Sequence, residues 1–305
     1  MMFFRFLKSL KINRILVVSL SNIGDVVLTF PVLDVLHARF PDVRVDVIVG
    51  PKAAGLLAHI PWINVVVYDK KMTWQAKCRW LVSLRQIKFD LVVDLRNSML
   101  PFLLDAAKVT LPTLCSCKVH MKQKHLKRLK LVLEDVDDNV PRACGFFLPQ
   151  LRDQVDRWVG RADGYVIVAP GAADQRKRWT EEGFAKVLEY LHGRGKMVVL
   201  LGDKQDAVLT ARLIRNAGQG VVDLCGKTSL AQLMPVIERA SFALTNDSGL
   251  MHLLSYAGKP VVALFGPTDP FYYGPWSDRS VVLRQDADMG SIPVEDVLRE
   301  VKQWL

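Results

Sequence analysis

The chain has 305 residues, 50% of them apolar and 24% charged. That composition excludes a disordered or fibrous protein, and the length exceeds what one hydrophobic core usually supports, so two domains are expected. A formal charge of +10 points to an anionic partner, whether nucleic acid, phospholipid headgroups or a phosphorylated substrate, without choosing among them.

Residues 1–13 are basic and partly apolar, but the apolar run that follows is broken by Ser21, Asn22, Gly24 and Asp25. It is read as neither signal peptide nor membrane span. Residues 3–10 keep two readings, an amphipathic segment touching a membrane surface or plain N-terminal packing. From there two series of short apolar runs alternate with helical patterns, the mark of parallel sheets with crossover helices. The first series predicts strands at 14–19, 44–49, 64–68 and 89–95, with a further short strand at 114–119. The second predicts buried strands at 166–169, 197–201, 221–224, 242–245 and 260–265. Residues 134–164 carry Pro141 and Pro149 and read as a linker with one helix at 150–159. This places an N-terminal domain at 1–148 and a C-terminal domain at 149–305. Residues 293–305 form a last amphipathic helix, with Val294, Val297, Leu298 and Val301 on one face. Cys78, Cys115, Cys117, Cys144 and Cys225 form no C-x-x-C unit, so neither a disulfide framework nor a zinc site is expected, and a reducing cytosol fits.

Open parallel sheets bind ligands beyond the carboxyl ends of their strands, which directs attention to four loops. Ser21-Asn22-Ile23-Gly24-Asp25 follows the first strand; Asp25 there is either a helix cap or a catalytic carboxylate. Pro170-Gly171 leads to Arg176-Lys177-Arg178, where a glycine permits close backbone approach and three cations can neutralise a diphosphate; the alternative is a solvated basic loop. Asn246-Asp247-Ser248-Gly249 precedes a helix at 250–256, so its amides and hydroxyl make an anion site or merely a cap. Gly266-Pro267-Thr268-Asp269-Pro270 follows the fifth strand of that half. There is no Walker loop and no G-x-G-x-x-G after a strand, which argues against an NTPase and a dinucleotide dehydrogenase. Asp135-Val136-Asp137 and Asp286-Ala287-Asp288 match a D-x-D metal pattern but lie away from such loops and are read as coincidence.

These segments resemble the bacterial ADP-heptose:lipopolysaccharide heptosyltransferases, glycosyltransferase family 9. The likeness is carried by the run from Arg14 through Asp25 to Pro31, by the Pro170-Gly171 loop to Lys177-Arg178-Trp179, and by Leu224-Cys-Gly-Lys-Thr-Ser-Leu230. Thr245-Asn-Asp-Ser-Gly-Leu-Met-His252 and Leu264-Phe-Gly-Pro-Thr-Asp-Pro270 complete it. The resemblance implies an α/β fold of GT-B type, two Rossmann-like domains facing across a cleft with the C-terminal helix crossing back to the first. It implies an inverting transfer of heptose from ADP-heptose to the lipopolysaccharide inner core, with neither metal nor cofactor. Asp25 then matches the proposed general base and Lys177 the lysine on the donor phosphates. Gly171, Asp247, Ser248 and Gly249 resemble the donor sugar and diphosphate site, and Gly226, Lys227 and Thr228 the stretch that receives adenine. Asp206 resembles the acidic position near the ribose, with Thr268 and His252 beside the donor; His252 is equally a packed helix histidine. Asn22 and Gly24 fall on the acceptor side; Arg96 and Asn97, after the fourth strand, either face the acceptor as well or form a strand-end turn.

Two departures bear on the donor. Residues 282–292 lack the cysteine-rich loop common in the family, and Ala172 and Ala173 stand where hydroxyl residues often aid phosphate binding, so another sugar donor stays open. Residues 118–130 concentrate Lys118, Lys122, Lys124, Lys127, Arg128 and Lys130 with no acidic residue. That run is either a solvated face or a clamp for Kdo-lipid A or the heptosylated core at the inner-membrane surface. The expected location is cytoplasmic and peripheral to the inner membrane. The rivals are a nucleotide-sugar epimerase on the same architecture and a non-catalytic polyanion-binding protein. The basic run has no interleaved aromatics, so nucleic acid is not an expected partner.

Overall fold

The computed structural model of the protein describes residues 11–112, 118–144, 149–160, 164–217 and 220–305. The expectations for 3–10 and for a strand beginning at 114 fall outside them, apart from the last two residues of that strand. The chain divides into two compact units, Met1–Cys144 and Gly145–Leu305.

In the first unit β1 (Ile15–Val18), β2 (Val45–Val49), β3 (Ile63–Val67), β4 (Phe89–Asp94) and β5 (Ala106–Val109) form one sheet in the order β3-β2-β1-β4-β5. Every pairing is parallel. β1 and β2 are buried at every position because helices cover both faces, which is why their sequences are near-continuous Val, Ile and Leu. The helices are α1 (Ile23–Val27), α2 (Phe30–Arg39), α3 (Ala54–Leu57), α4 (Trp74–Arg85) and α5 (Met121–Leu129). A 3-10 turn, Leu100–Leu103, follows β4. The strand order reverses between β1 and β4, so the loops after these strands open the ligand-binding crevice of this unit.

The second unit repeats the plan. β6 (Tyr165–Ala169), β7 (Val198–Leu200), β8 (Val221–Asp223), β9 (Ala240–Asn246), β10 (Val261–Leu264) and β11 (Ser280–Leu283) form a sheet ordered β11-β10-β9-β6-β7-β8, all parallel. Its helices are α6 (Pro149–Val159), α7 (Glu181–Gly193), α8 (Ala207–Ala217), α9 (Leu230–Glu238), α10 (Gly249–Tyr256), α11 (Pro270–Tyr273) and α12 (Val294–Lys302). The switch point lies between β6 and β9. Val168, Leu200, Leu244 and Leu264 of the strands pack with Phe184, Val187 and Leu191 of α7 in one cluster.

Within the second unit α12 contacts α7, β10 and β11. Its buried residues Val297 and Val301 belong to that unit's core. β5 and β11 were not foreseen. Both are half-buried sheet edges, and Ala106-Ala-Lys-Val109 lacks the apolar run by which a central strand is recognised. No helix among the described residues is long and apolar enough to cross a membrane.

Candidate functional site

The second unit brings three of the four foreseen loops, together with the 226–228 stretch, to the carboxyl edge of one sheet. After β6 the chain passes through Gly171 to a 3-10 turn, Gln175–Lys177, whose N-cap Asp174 accepts from the Arg176 amide at 3.0 Å. After β9 comes Asp247, then Ser248 as N-cap of α10, its Oγ accepting from the Met251 amide at 3.4 Å. The two loops are tied across the switch point. Asn246 Nδ2 donates to the Pro170 carbonyl at 2.8 Å, and the Trp179 amide donates to Asn246 Oδ1 at 3.1 Å. Lys177 Nζ lies 2.7 Å from Asp247 Oδ2. The aspartate side chain is only 5% exposed and the lysine 28%, so Asp247 holds an ammonium that ligand can still reach.

The three consecutive cations, expected to act together on a diphosphate, have different partners. Arg176 closes back on half-buried Asp174 at 2.7 Å, and that contact holds the Asp174 carboxyl low, at about 2. Arg178 turns inward, donating from Nε to the Ala172 carbonyl at 2.8 Å and lying 2.9 Å from Asp206 Oδ1 through Nη2. Lys177 is the member of the three set on the switch point itself.

Asp206, foreseen near the donor ribose, is buried. It closes a capping box with Asp203, accepting from that residue's amide at 3.0 Å, and burial raises its carboxyl above the ordinary value. Its carboxylate lies against Gly171, where a β-carbon would stand 2.0 Å from Oδ2. The glycine therefore admits a buried acid, a close approach different from the ligand contact that sequence suggests. The Asp203-Lys-Gln-Asp206 spacing of a capping box was the available signal.

Gly226 has φ +68 and would collide with Lys204 if it carried a side chain, so the bend after β8 requires glycine. Lys227 is exposed and donates to the Asp223 carbonyl at 2.8 Å, with half-buried Thr228 next to it. Thr268 is half-buried in the turn after β10, where Asp269 caps α11. His252 is buried in α10 and stacks on Trp276 at 5.8 Å between ring centroids.

In the first unit Asn22 occupies the N-cap of α1 without capping through its side chain. Asp25 lies in the first turn, half-buried, and its Oδ2 accepts from Asn22 Nδ2 at 3.0 Å. Gly24 accepts the Leu28 amide at 3.1 Å through its carbonyl. Across the switch point, Asp94 at the end of β4 is fully buried and accepts from the amides of Arg96 at 2.8 Å and Ser98 at 2.6 Å. The Asn97 between them has φ +61. Arg128 reaches in from α5, donating to the Asp94 carbonyl and to Asn97 Oδ1, each at 2.8 Å.

The basic run therefore divides. Arg128, His125, Leu126 and Leu129 are buried, and α5 packs on α2. Burial, with Lys124, Arg128 and His120 nearby, lowers the His125 pKa to about 4. Lys124 and Lys127 are exposed and Lys122 is half-buried. Arg128, grouped with the surface lysines by sequence, fixes the loop that carries Arg96 and Asn97. Asp286 and Asp288 cap their own turn, and among the described residues no cluster of three His, Cys, Asp or Glu is placed to hold a metal ion.

Two doubly wound units with polar loops at their switch points constitute the GT-B class of glycosyltransferase folds. Solved structures agree: the chain superposes on a glycosyltransferase family 9 protein from Veillonella parvula with TM-score 0.82, 25% identity and 97% and 98% of the two chains covered. The structure described as "E. coli heptosyltransferase WaaC with ADP" matches with TM-score 0.80 at 18% identity, covering 96% of this chain and 100% of that one. Residues 116–297 match the model of "Glycosyltransferase family 9 (heptosyltransferase)". The chain belongs to glycosyltransferase family 9 and is an enzyme of sugar transfer. Among curated relatives, "Lipopolysaccharide heptosyltransferase 3" of Escherichia coli is 26% identical over 92% of this chain and 96% of its own length.

Proposed function

We propose that this enzyme transfers heptose from ADP-heptose to the lipopolysaccharide inner core, with inversion and without a metal ion. The observation that carries the reading is the Lys177–Asp247 pair at the β6/β9 switch point, 2.7 Å long, with the N-terminus of α10 starting at Gly249 beside it. An ammonium and a helix N-terminus at one point suit the charge that develops on a departing diphosphate. The relatives named for lipopolysaccharide heptose transfer, and the related heptosyltransferase solved with ADP, support the choice of donor and acceptor.

In this reaction the acceptor hydroxyl oxygen attacks the anomeric carbon as the bond from that carbon to the diphosphate oxygen breaks. Asp25 takes the hydroxyl proton. ADP departs with the bonding electron pair, its negative charge met by Lys177 and the amides after Ser248. Gly226, Lys227 and Thr228 receive the adenine; Thr268 and Ser248 border the donor, while Arg96, Asn22, Lys122, Lys124 and Lys127 face the acceptor, Kdo-lipid A or heptosylated core. The acceptor sits in the inner membrane, so the enzyme works at its cytoplasmic surface.

A thermal-shift panel of nucleotide sugars tests the donor, because a ligand at a hundred times its Kd adds about 2.7 kcal/mol to the folded state. ADP and ADP-heptose should stabilise more than UDP, GDP or CMP counterparts, with EDTA present throughout. Equal stabilisation by UDP-sugars would remove the ADP-heptose assignment, and transfer that stops in EDTA and returns with Mg²⁺ would remove the metal-free one.

A further inference from the structure

Helix α4 carries an exposed apolar stripe that sugar transfer does not use. Trp74, Cys78 and Val82 recur at four-residue spacing and so share one side of the helix. Trp74 is 78% exposed, Val82 is 58% exposed and Cys78 is also exposed. Leu84, on the other side, is buried in a cluster with the half-buried Trp80 and Ile87. The same cluster takes in Leu100 and Leu104 from the turn after β4, so this turn and α4 cover one face of the sheet. From that turn Met99, Phe102 and Leu103 stand 66%, 55% and 44% exposed. Single exposed apolar residues are ordinary; five large ones on one layer ask for an occupant.

The charge around them indicates which. Between Lys70 and Lys88 the sequence holds Lys70, Lys71, Lys77, Arg79, Arg85 and Lys88 and no acidic residue. All but Lys77 are exposed, and among the described residues none of the exposed five is drawn into an ion pair. Arg79 and Arg85 lie three residues before and after Val82, which puts one on each side of the stripe. Aromatic and aliphatic side chains among cations that outnumber the one exposed carboxylate of the neighbouring turn, Asp105, suit a fluid anionic surface better than a protein partner that pairs group by group. α5 differs, because its leucines, Leu126 and Leu129, are buried.

We propose that the α4 layer of the first unit docks on an anionic lipid surface, with Trp74, Val82, Met99 and Phe102 entering the headgroup boundary and Arg79 and Arg85 meeting lipid phosphates. This goes beyond the transfer reaction and does not depend on which acceptor is used, since the test contains no glycolipid. The enzyme is sedimented with phosphatidylcholine vesicles containing phosphatidylglycerol and, separately, with pure phosphatidylcholine. Partition should favour the anionic vesicles by about thirtyfold or more and weaken in high salt. Arg79→Gln with Arg85→Gln should lower it by about thirtyfold, at about fivefold per cation, and Trp74→Ser with Phe102→Ser by about tenfold. Arg157→Gln with Arg215→Gln makes the same change in net charge on exposed positions of the second unit and should lower it less than about threefold. Unchanged melting temperatures would show that the variants fold. Equal partition onto neutral and anionic vesicles, an equal loss in the second-unit pair, or no loss in the Trp74/Phe102 pair would each overturn the proposal.

Discussion

Asp25→Asn separates the two roles open to this carboxylate, since it keeps size and turn geometry while removing basicity. The structure makes the non-catalytic cost small. Asn22, not Asp25, is the N-cap of α1, and the one side-chain bond is that from Asn22 Nδ2 at 3.0 Å, which an asparagine oxygen also accepts. What is lost is the favourable placement of a charge in the first helical turn, about 0.3–1 kcal/mol. For a unit of this size that is a drop in Tm of roughly 1–4 °C. Removal of a general base lowers kcat by about 10²–10⁴, the equivalent of about 2.7–5.5 kcal/mol in the barrier. ADP release under saturating donor and acceptor measures kcat, and ADP-induced stabilisation measures the donor site independently. The expected result is a collapse of kcat with ADP binding intact. A variant that keeps more than about a tenth of the wild-type kcat would refute the assignment.

Lys177→Met should weaken ADP binding by about 10- to 150-fold, the worth of one charge-assisted hydrogen bond, and lower kcat with it; an unaltered KM and kcat in steady-state assays would return the residue to a structural ion pair. Gly171→Ala should cost about 1–3 kcal/mol in denaturant melts without ligand, because the new methyl meets the Asp206 carboxylate at 2.0 Å, and a wild-type midpoint would contradict the close packing. His125, with its pKa lowered to about 4, binds its proton more readily in the unfolded chain, near 6.5. Its contribution is therefore complete above about pH 6.5 and is lost as the pH falls towards 4, about 2 kcal/mol between pH 7.5 and 5. His125→Leu should flatten that part of the stability curve in urea melts at a series of pH values, and an unchanged slope would assign it to other groups.

The central strands and the switch-point loops were legible because burial on both faces leaves so plain a mark. Val-Ile-Leu runs such as Ile15–Val18 and Tyr165–Ala169 end at polar residues, and each observed boundary lies within two residues of the expected one where β1–β4 and β6–β10 were foreseen. β5 was illegible for the complementary reason, since this half-buried edge, Ala106-Ala-Lys-Val109, carries no apolar run, whereas β11, Ser280-Val-Val-Leu283, has a short one that the sequence reading left unassigned. Residue types at the site were also legible, but their directions were not. Sequence grouped Arg128 with its neighbouring lysines, yet helical spacing puts it with His125 and Leu129 on the side of α5 that meets the sheet.

The loop after β6 shows why charge counting alone misleads at a phosphate site. Arg176, Lys177 and Arg178 are consecutive, but a 3-10 turn and the extended residue after it send them three ways. Arg176 answers its own N-cap, and Arg178 compensates a buried acid whose burial raises its pKa. Removing Arg178 would strand that acid beneath Gly171 and shift the loop on which Lys177 stands. A loss of donor affinity in an Arg178 variant is thus expected even if its guanidinium never touches phosphate. The two roles part at Arg178→Lys, which retains a charge but not the fork that reaches both the Ala172 carbonyl and Asp206. A positioning arginine should lose stability and donor affinity together in that variant, whereas a phosphate ligand should lose affinity with its melting point unmoved.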